Sequence, residues 1–103
     1  MGMQPDPMSG ALVPTPNYFT SQILAMQEMS NDKMPYFDII EYELLLDSAC
    51  MGPSDWVSIA EDIERHYYDY DGFVIIMGTD TMAYAASALS FMLESLGKTG
   101  KAD

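Results

Sequence analysis

Three stretches of the chain carry apolar residues at the three- and four-residue spacing of an amphipathic helix. The apolar positions are Phe19, Ile23, Met26 and Met29 in the first stretch, Trp56, Ile59, Ala60, Ile63 and Tyr67 in the second, and Met82, Ala86, Leu89, Leu93 and Leu96 in the third. We expect the first helix to start near Asn17 or Thr20. Gly52 and Pro53 are typical of the start of the second. Gly97 is expected to end the third.

Two further stretches have the pattern of extended strands. Residues 36–46 are rich in Tyr, Phe, Ile and Leu, which predicts a strand with one face more buried than the other. Residues 73–77 are five apolar residues in a row between Gly72 and Gly78, which predicts a central parallel strand covered on both faces. Residues 1–17 contain four Pro and two Gly and are predicted to be a loop.

The order helix, strand, helix, strand, helix predicts an α/β fold with part of a Rossmann-like, mostly parallel sheet and flanking helices. A unit of this kind normally continues from its last helix into another strand. After Gly97, however, the chain has only six residues, Lys98 to Asp103. We therefore expect an incomplete sheet, as in a fragment of a larger domain.

The charge of the chain limits its partners. Its 103 residues contain 16 acidic side chains against four Lys and Arg, a net charge of −12. Such a surface repels phosphate backbones and anionic lipids, so neither a nucleic acid nor a membrane is an expected partner. No stretch approaches the roughly 20 apolar residues of a membrane span. No secretory signal precedes residue 10, and the only cysteine is Cys50; a cytoplasmic location is expected.

Neither a cofactor nor a metal is expected. The chain has one histidine, His66, far in sequence from Cys50, so nitrogen and sulfur ligands are too few for a zinc site. His66 is expected near the end of the second helix, where a cation is favourable, rather than in catalysis. Cys50 is expected to be a passive loop residue.

The turn Gly78-Thr79-Asp80-Thr81 is the strongest candidate for chemistry. It follows the predicted central strand and leads into the third helix, and ligands of open α/β sheets bind at the carboxyl ends of the strands. Free N–H groups at the helix start favour an anionic group, Thr79 offers a hydroxyl and Asp80 a carboxylate. The same residue types also cap helices, so Thr79 or Thr81 as a cap, with Asp80 complementing the helix dipole, is an alternative that the pattern leaves open.

Residues 69–84, with the sequence DYDGFVIIMGTDTMAY, resemble the second signature of the L-asparaginase family, and residues 85–98 are similar to its cytoplasmic branch in particular. Residues 46–56 look like the substrate-binding loop of that branch and the helix after it. Residues 2–4 and 10–14 look like the segment following the family's first signature. The resemblance covers residues 1–98, which would be part of an asparaginase N-terminal α/β domain truncated at both ends, with residues 99–103 as a tail.

The resemblance implies hydrolysis of L-asparagine to L-aspartate and ammonia, by a homo-oligomeric parent protein that needs no cofactor. Thr79 matches the second catalytic threonine and Asp80 its neighbouring aspartate, which also holds the α-amino group of the substrate. Ser48, with the backbone near Asp47, matches the residues that hold the substrate α-carboxylate. The substrate-binding set implied by the resemblance is thus Asp47, Ser48, Thr79 and Asp80, and the catalytic set is Thr79 and Asp80.

Several family features are absent or altered. The nucleophilic threonine of the first signature would precede Gly2, and the relay lysine would follow Gly97, so the chain is expected to be inactive alone. Met77 stands where the family usually has a histidine, and Ala49 and Cys50 replace a polar residue and an aspartate. A non-catalytic remnant or an interaction module of the same fold is therefore an alternative. A related amidotransferase subunit is a third, which the acidic surface disfavours.

Overall fold

The computed structural model describes residues 2–95. The chain divides into two units, the first ending at Leu46 and the second beginning at Asp47. The first unit contains strands β1 (Met3–Pro5) and β2 (Leu12–Pro14) and helix α1 (Tyr18–Ala25); the second contains helices α2 (Pro53–Arg65) and α3 (Met82–Met92). Short 3₁₀ turns lie at Gln27–Ser30 and Ser48–Cys50.

Strands β1 and β2 form an antiparallel hairpin in which Met3 pairs with Pro14 and Pro5 with Leu12. The prediction of a loop over residues 1–17 is therefore wrong for these residues. The prolines do not prevent pairing because each sits at the end of its strand, where a missing N–H group is tolerated.

Asp6 closes the connection between the two strands. Its backbone N–H donates to the carbonyl of Ala11 at 2.8 Å, and its own carbonyl accepts from the N–H of Gly10 at 2.8 Å. Its carboxylate accepts from both the amide (3.0 Å) and the hydroxyl (2.7 Å) of Ser9. Gly10 has φ +69°, a backbone conformation that glycine adopts readily. These residues supply the turn chemistry of a hairpin.

Helix α1 confirms the first helical prediction, although it is shorter than the apolar stripe. It ends at Ala25 and is followed by the 3₁₀ turn rather than by continuous helix to Met29. Two donors at the start of α1 are hydrogen-bonded by the carboxylate of Glu41. This carboxylate accepts from the backbone amide of Asn17 at 2.7 Å and from the hydroxyl of Thr20 at 3.3 Å. A negative group at this end of a helix also complements the helix dipole.

Helices α2 and α3 confirm the other two helical predictions, although α3 ends at Met92, short of the predicted apolar stripe, with Leu93 as its C-cap. At the start of α2 the N–H of Gly52 donates to the carboxylate of Asp55 at 2.8 Å. His66 is the C-cap of α2, and its Nδ1 lies 2.9 Å from the carbonyl oxygen of Asp62, in agreement with a role at the helix end. Leu96 and Gly97, which were expected to complete α3, lie outside the described residues, as does the predicted tail.

The core of the second unit lies between α2 and α3. Ile59, Ile63 and Leu89 are its buried members, and the partly buried Phe73 and Ile75 pack against them. α2 thus buries the face that its apolar spacing predicted. No helix among residues 2–95 is both long and apolar enough to cross a membrane.

The predicted parallel sheet is not present in the described part of the chain. Residues 36–46 and 73–77 form no strand there, and the two strands that do form are antiparallel. Val74 and Ile76 are 66% and 59% exposed, so only one face of the second segment is covered. A strand exists only when a neighbour accepts and donates its backbone hydrogen bonds. The α/β class holds, with helices and a small sheet.

Candidate active site

Ser48 is held by a tight turn at the start of the second unit. The carboxylate of Asp47 accepts from the backbone amide of Ala49 at 3.1 Å, and the carbonyl of Asp47 accepts from the amide of Cys50 at 2.9 Å. We call Asp47–Met51 the serine turn. Ser48 is only 3% exposed within it, the one buried polar residue among residues 2–95. Asp47 therefore shapes the turn, and its carboxylate is already engaged by the backbone.

The polar turn, Gly78–Thr81, lies against the serine turn. The hydroxyl of Ser48 donates to the carboxylate Oδ2 of Asp80 at 2.8 Å, across 32 residues of sequence. Two residues that were predicted as substrate-binding are thus in direct contact. An anionic acceptor makes this a charge-assisted hydrogen bond, which is stronger than one between neutral groups.

Thr81 makes the second contact between the two turns. It occupies the N-cap position of α3, yet its side chain makes no capping hydrogen bond. Its hydroxyl instead donates to the backbone carbonyl of Ser48 at 2.7 Å. The capping alternative does not describe what the Thr81 side chain does, and the Asp80 carboxylate, which precedes the helix, accepts from the side chain of Ser48.

Gly78 makes the third contact. A Cβ atom built on Gly78 would lie 2.8 Å from Cβ of Ser48 and closer still to its hydroxyl oxygen. Contacts this short do not occur between real side chains, so the close packing of the two turns requires glycine here. The sequence does not show that Ser48 is the neighbour of Gly78.

Thr79 is the one predicted catalytic residue that these contacts do not include. It is exposed, and its carbonyl accepts from the amide of Met82 at 3.4 Å in the first turn of α3. The role of Thr79 therefore stays a prediction. No group of three or more His, Cys, Asp or Glu residues within 2–95 is placed to hold a metal ion.

The three positions that differ from the family pattern all lie beside these turns. Met77 directly precedes the polar turn and is half-buried, while Ala49 and Cys50 are exposed in the serine turn. Cys50 is a free thiol. None of these three side chains takes part in the hydrogen bonds that join Ser48 to Asp80 and Thr81.

The family model "Asparaginase, N-terminal" matches residues 1–99 of the chain. The chain belongs to the asparaginase family. Among its relatives, L-asparaginase 1 of Escherichia coli (strain K12) is 58% identical over 86 residues, which are 84% of this chain and 25% of the relative. The 60 kDa lysophospholipase of Mus musculus is 52% identical over 75 residues, 73% of this chain and 13% of the relative.

A solved structure supports the same assignment. L-asparaginase I from Vibrio cholerae O1 biovar eltor str. N16961 matches with a TM-score of 0.74 and 47% sequence identity, over 87% of this chain and 26% of that one. The chain thus spans about a quarter of the length of these two bacterial asparaginases, and less of the lysophospholipase.

Proposed function

We propose that the protein to which this chain belongs hydrolyses the side-chain amide of L-asparagine, giving L-aspartate and ammonia. Family membership supports the reaction class, and the names of the bacterial asparaginases support the substrate. The observation that carries the proposal is the 2.8 Å contact between Ser48 and Asp80, because it joins two predicted substrate-binding residues from separate parts of the sequence.

Charge and geometry suit a free amino acid at this contact. The carboxylate of Asp80 is the natural partner of an α-ammonium group, and the hydroxyl of Ser48 is a donor for an α-carboxylate. The nearby start of α3 adds free N–H groups and a positive dipole end, which also favour a carboxylate. In this proposal the Ser48 hydroxyl turns from Asp80 to the substrate, while Asp80 accepts the ammonium group instead.

Amide hydrolysis requires a nucleophile and a proton relay in addition to the substrate-binding contacts of Ser48 and Asp80. A threonine hydroxyl is a weak nucleophile until a base removes its proton. The family resemblance implies a relay of Thr79, Asp80 and a lysine, together with a first threonine as nucleophile, and the last two would lie outside this chain. We therefore expect the 103-residue chain alone to release no ammonia.

We also propose a fold, an oligomeric state and a cellular location for the complete protein. Residues 36–46 and 73–77 would be strands of a mostly parallel, Rossmann-like sheet, whose partner strands come from the rest of the protein. The alternating exposure of Phe73 to Met77 supports this for the second segment. A homo-oligomeric assembly follows from the resemblance, and an exposed free thiol at Cys50 suits a reducing cytoplasm.

A chimera tests the activity. Replacing the matched segment of E. coli L-asparaginase 1 with this chain would supply the remaining three quarters of an asparaginase. We expect ammonia release from L-asparagine, and a kcat/KM roughly 100-fold lower in the Asp80→Asn variant, because the negative charge that would pair with the substrate ammonium group is removed.

The matched control is Asp69→Asn, which makes the same charge change at an exposed position and is expected to leave kcat/KM within about twofold. If the chimera with the unaltered chain releases no ammonia, the altered positions Met77, Ala49 and Cys50 would favour the non-catalytic alternative. Undiminished turnover by Asp80→Asn would contradict the assigned role of Asp80.

A further inference from the structure

We infer that Thr81 and Gly78 are positioning residues that hold Ser48 in its substrate-binding place, an inference that rests on the proposed function. Neither residue is expected to touch the substrate. Thr81 would act through the peptide group of Ser48, and Gly78 through the space that it leaves for the Ser48 side chain.

The hydroxyl of Thr81 makes an unusual contact for a threonine at the start of a helix. An N-cap hydroxyl normally accepts from a free N–H group of its own helix, but the hydroxyl of Thr81 donates to the carbonyl of Ser48, 33 residues away. That carbonyl also accepts from the amide of Met51 at 3.3 Å, inside the serine turn. The Thr81 hydroxyl therefore joins the backbone of the serine turn to the N-cap of α3.

Gly78 restricts Ser48 from the other side. The Cβ of Ser48 packs where a side chain on residue 78 would otherwise be. With its peptide held by Thr81 and its Cβ against Gly78, Ser48 retains only rotation about χ1. That rotation moves the hydroxyl while the residue stays beside Asp80, at the 2.8 Å separation of their oxygen atoms.

This arrangement has a consequence for substrate choice. The Ser48 hydroxyl can donate to a carboxylate, and the Asp80 carboxylate can accept from an ammonium group. Held side by side, they match the two charged groups on the α-carbon of a free amino acid. A peptide-bound asparagine lacks both free groups and would meet the buried Ser48 and the charged Asp80 with neutral amides. Movement of the serine turn would shift the Ser48 hydroxyl away from the substrate carboxylate. The Thr81 contact should therefore affect substrate binding more than the chemical step.

Variants of the chimera separate this role from general stability. Thr81→Val removes the hydroxyl at nearly constant shape, and we expect KM for L-asparagine to rise about tenfold, the effect of one lost hydrogen bond, with kcat changed less than threefold. Thr81→Ser keeps the hydroxyl and should restore KM to within about threefold of the unaltered chimera. Ser87→Ala is the control, because it removes a hydroxyl that donates only to the carbonyl of Ala83 in the same helix.

A second measurement does not depend on activity. In Thr81→Val the amides of Cys50 and Met51 should exchange with solvent about tenfold faster than in Thr81→Ser, because the serine turn loses its tie to α3. Gly78→Ala should have the same effect on exchange, by displacing Ser48. Ser87→Ala should change neither amide.

The outcomes distinguish the two proposals. An active chimera in which Thr81→Val and Thr81→Ser have the same KM and the same exchange rates would overturn the inference and leave the proposed function standing. An inactive chimera in which Thr81→Val and Gly78→Ala speed exchange, and Thr81→Ser and Ser87→Ala do not, would overturn the proposed function, while the hold of Thr81 and Gly78 on the serine turn would be supported. Equal exchange in all variants of an inactive chimera would overturn both.

Discussion

Serine–aspartate hydrogen bonds in this chain have two different roles, one within a single turn and one between two turns. Asp6 accepts from Ser9 three residues along, and the bonds stay within one turn. Asp80 accepts from Ser48 across 32 residues, and the bond joins two turns into a site. A serine-aspartate contact by itself therefore says little about function. The distance along the chain that it spans is what separates a local turn from a candidate site.

The Asp6 turn leads to a prediction about pH. Hydrogen bonds from the hydroxyl of Ser9 and then from its amide lower the pKa of Asp6 from its ordinary value of 3.8. Because the ionised form is favoured in the folded turn, the stabilisation is fully present above pH 3.8 and is lost as the pH falls through the lowered pKa. In Ser9→Ala the pKa of Asp6 should rise toward its ordinary value, measured by NMR titration of the side-chain carboxyl carbon.

The matched control for this titration is Ser21→Ala, which removes a serine hydroxyl bonded to the carbonyl of Tyr18 in the same unit. Its Asp6 pKa should equal that of the unaltered chain. An unchanged Asp6 pKa in Ser9→Ala would show that the hydroxyl does not set it.

At the scale of elements, helices and extended segments differ in how far they depend on the rest of the molecule. An α-helix makes its backbone hydrogen bonds within itself, so α2 and α3 form within the stretches that their apolar spacing predicts. An extended segment such as 73–77 cannot make its backbone hydrogen bonds within itself and depends on a neighbouring strand. It keeps the two-residue alternation of a strand, with Phe73 and Ile75 on the core, but no ladder forms in the described part of the chain.

This alternation predicts unequal effects on stability for substitutions of two neighbouring isoleucines. Ile75→Ala should lower the free energy of unfolding by about 2 kcal/mol, because Ile75 packs on the core of α2 and α3. Ile76→Ala, at a side chain 59% exposed, should change it by less than about 0.5 kcal/mol. Urea unfolding followed by circular dichroism measures both, and equal effects would contradict the described orientation of the segment.

At the scale of the whole molecule, the chain exposes surface that a complete domain would cover. Val74 and Ile76 project from one side of an extended segment, and the first unit exposes 77% of Leu44 and 61% of Ile40. Val74 and Ile76, two residues apart on the uncovered side of their segment, mark a surface for further protein contacts. The net charge of −12 adds repulsion that disfavours compact folding.

We therefore expect the isolated chain to be marginally stable. Its thermal unfolding midpoint should lie at least about 10 °C below that of the chimera with E. coli L-asparaginase 1, in which added strands cover these side chains. Differential scanning calorimetry of both proteins measures the difference. The comparison is informative because the same 103 residues are present in each, and equal midpoints would contradict the expectation.

The sequence by itself determined the helices, the α/β class and the residues worth testing. These depend on spacing along the chain, capping preferences and the resemblance carried by residues 69–84, all of which are local. The prediction of a loop over residues 1–17 is wrong for the hairpin because prolines at strand ends leave the pairing intact and Asp6, Ser9 and Gly10 form the turn between the strands. The strand predictions were not met in the described residues because pairing depends on a neighbour.

Only the tertiary structure decided how the polar groups are used. It joined Ser48 to Asp80, turned Thr81 from a helix cap into a donor to the serine turn, and showed which neighbour requires glycine at residue 78. The physical reason is that a hydroxyl can donate to any acceptor within about 3 Å. Which acceptor that is depends on how distant parts of the backbone come together, and no spacing within the sequence specifies it.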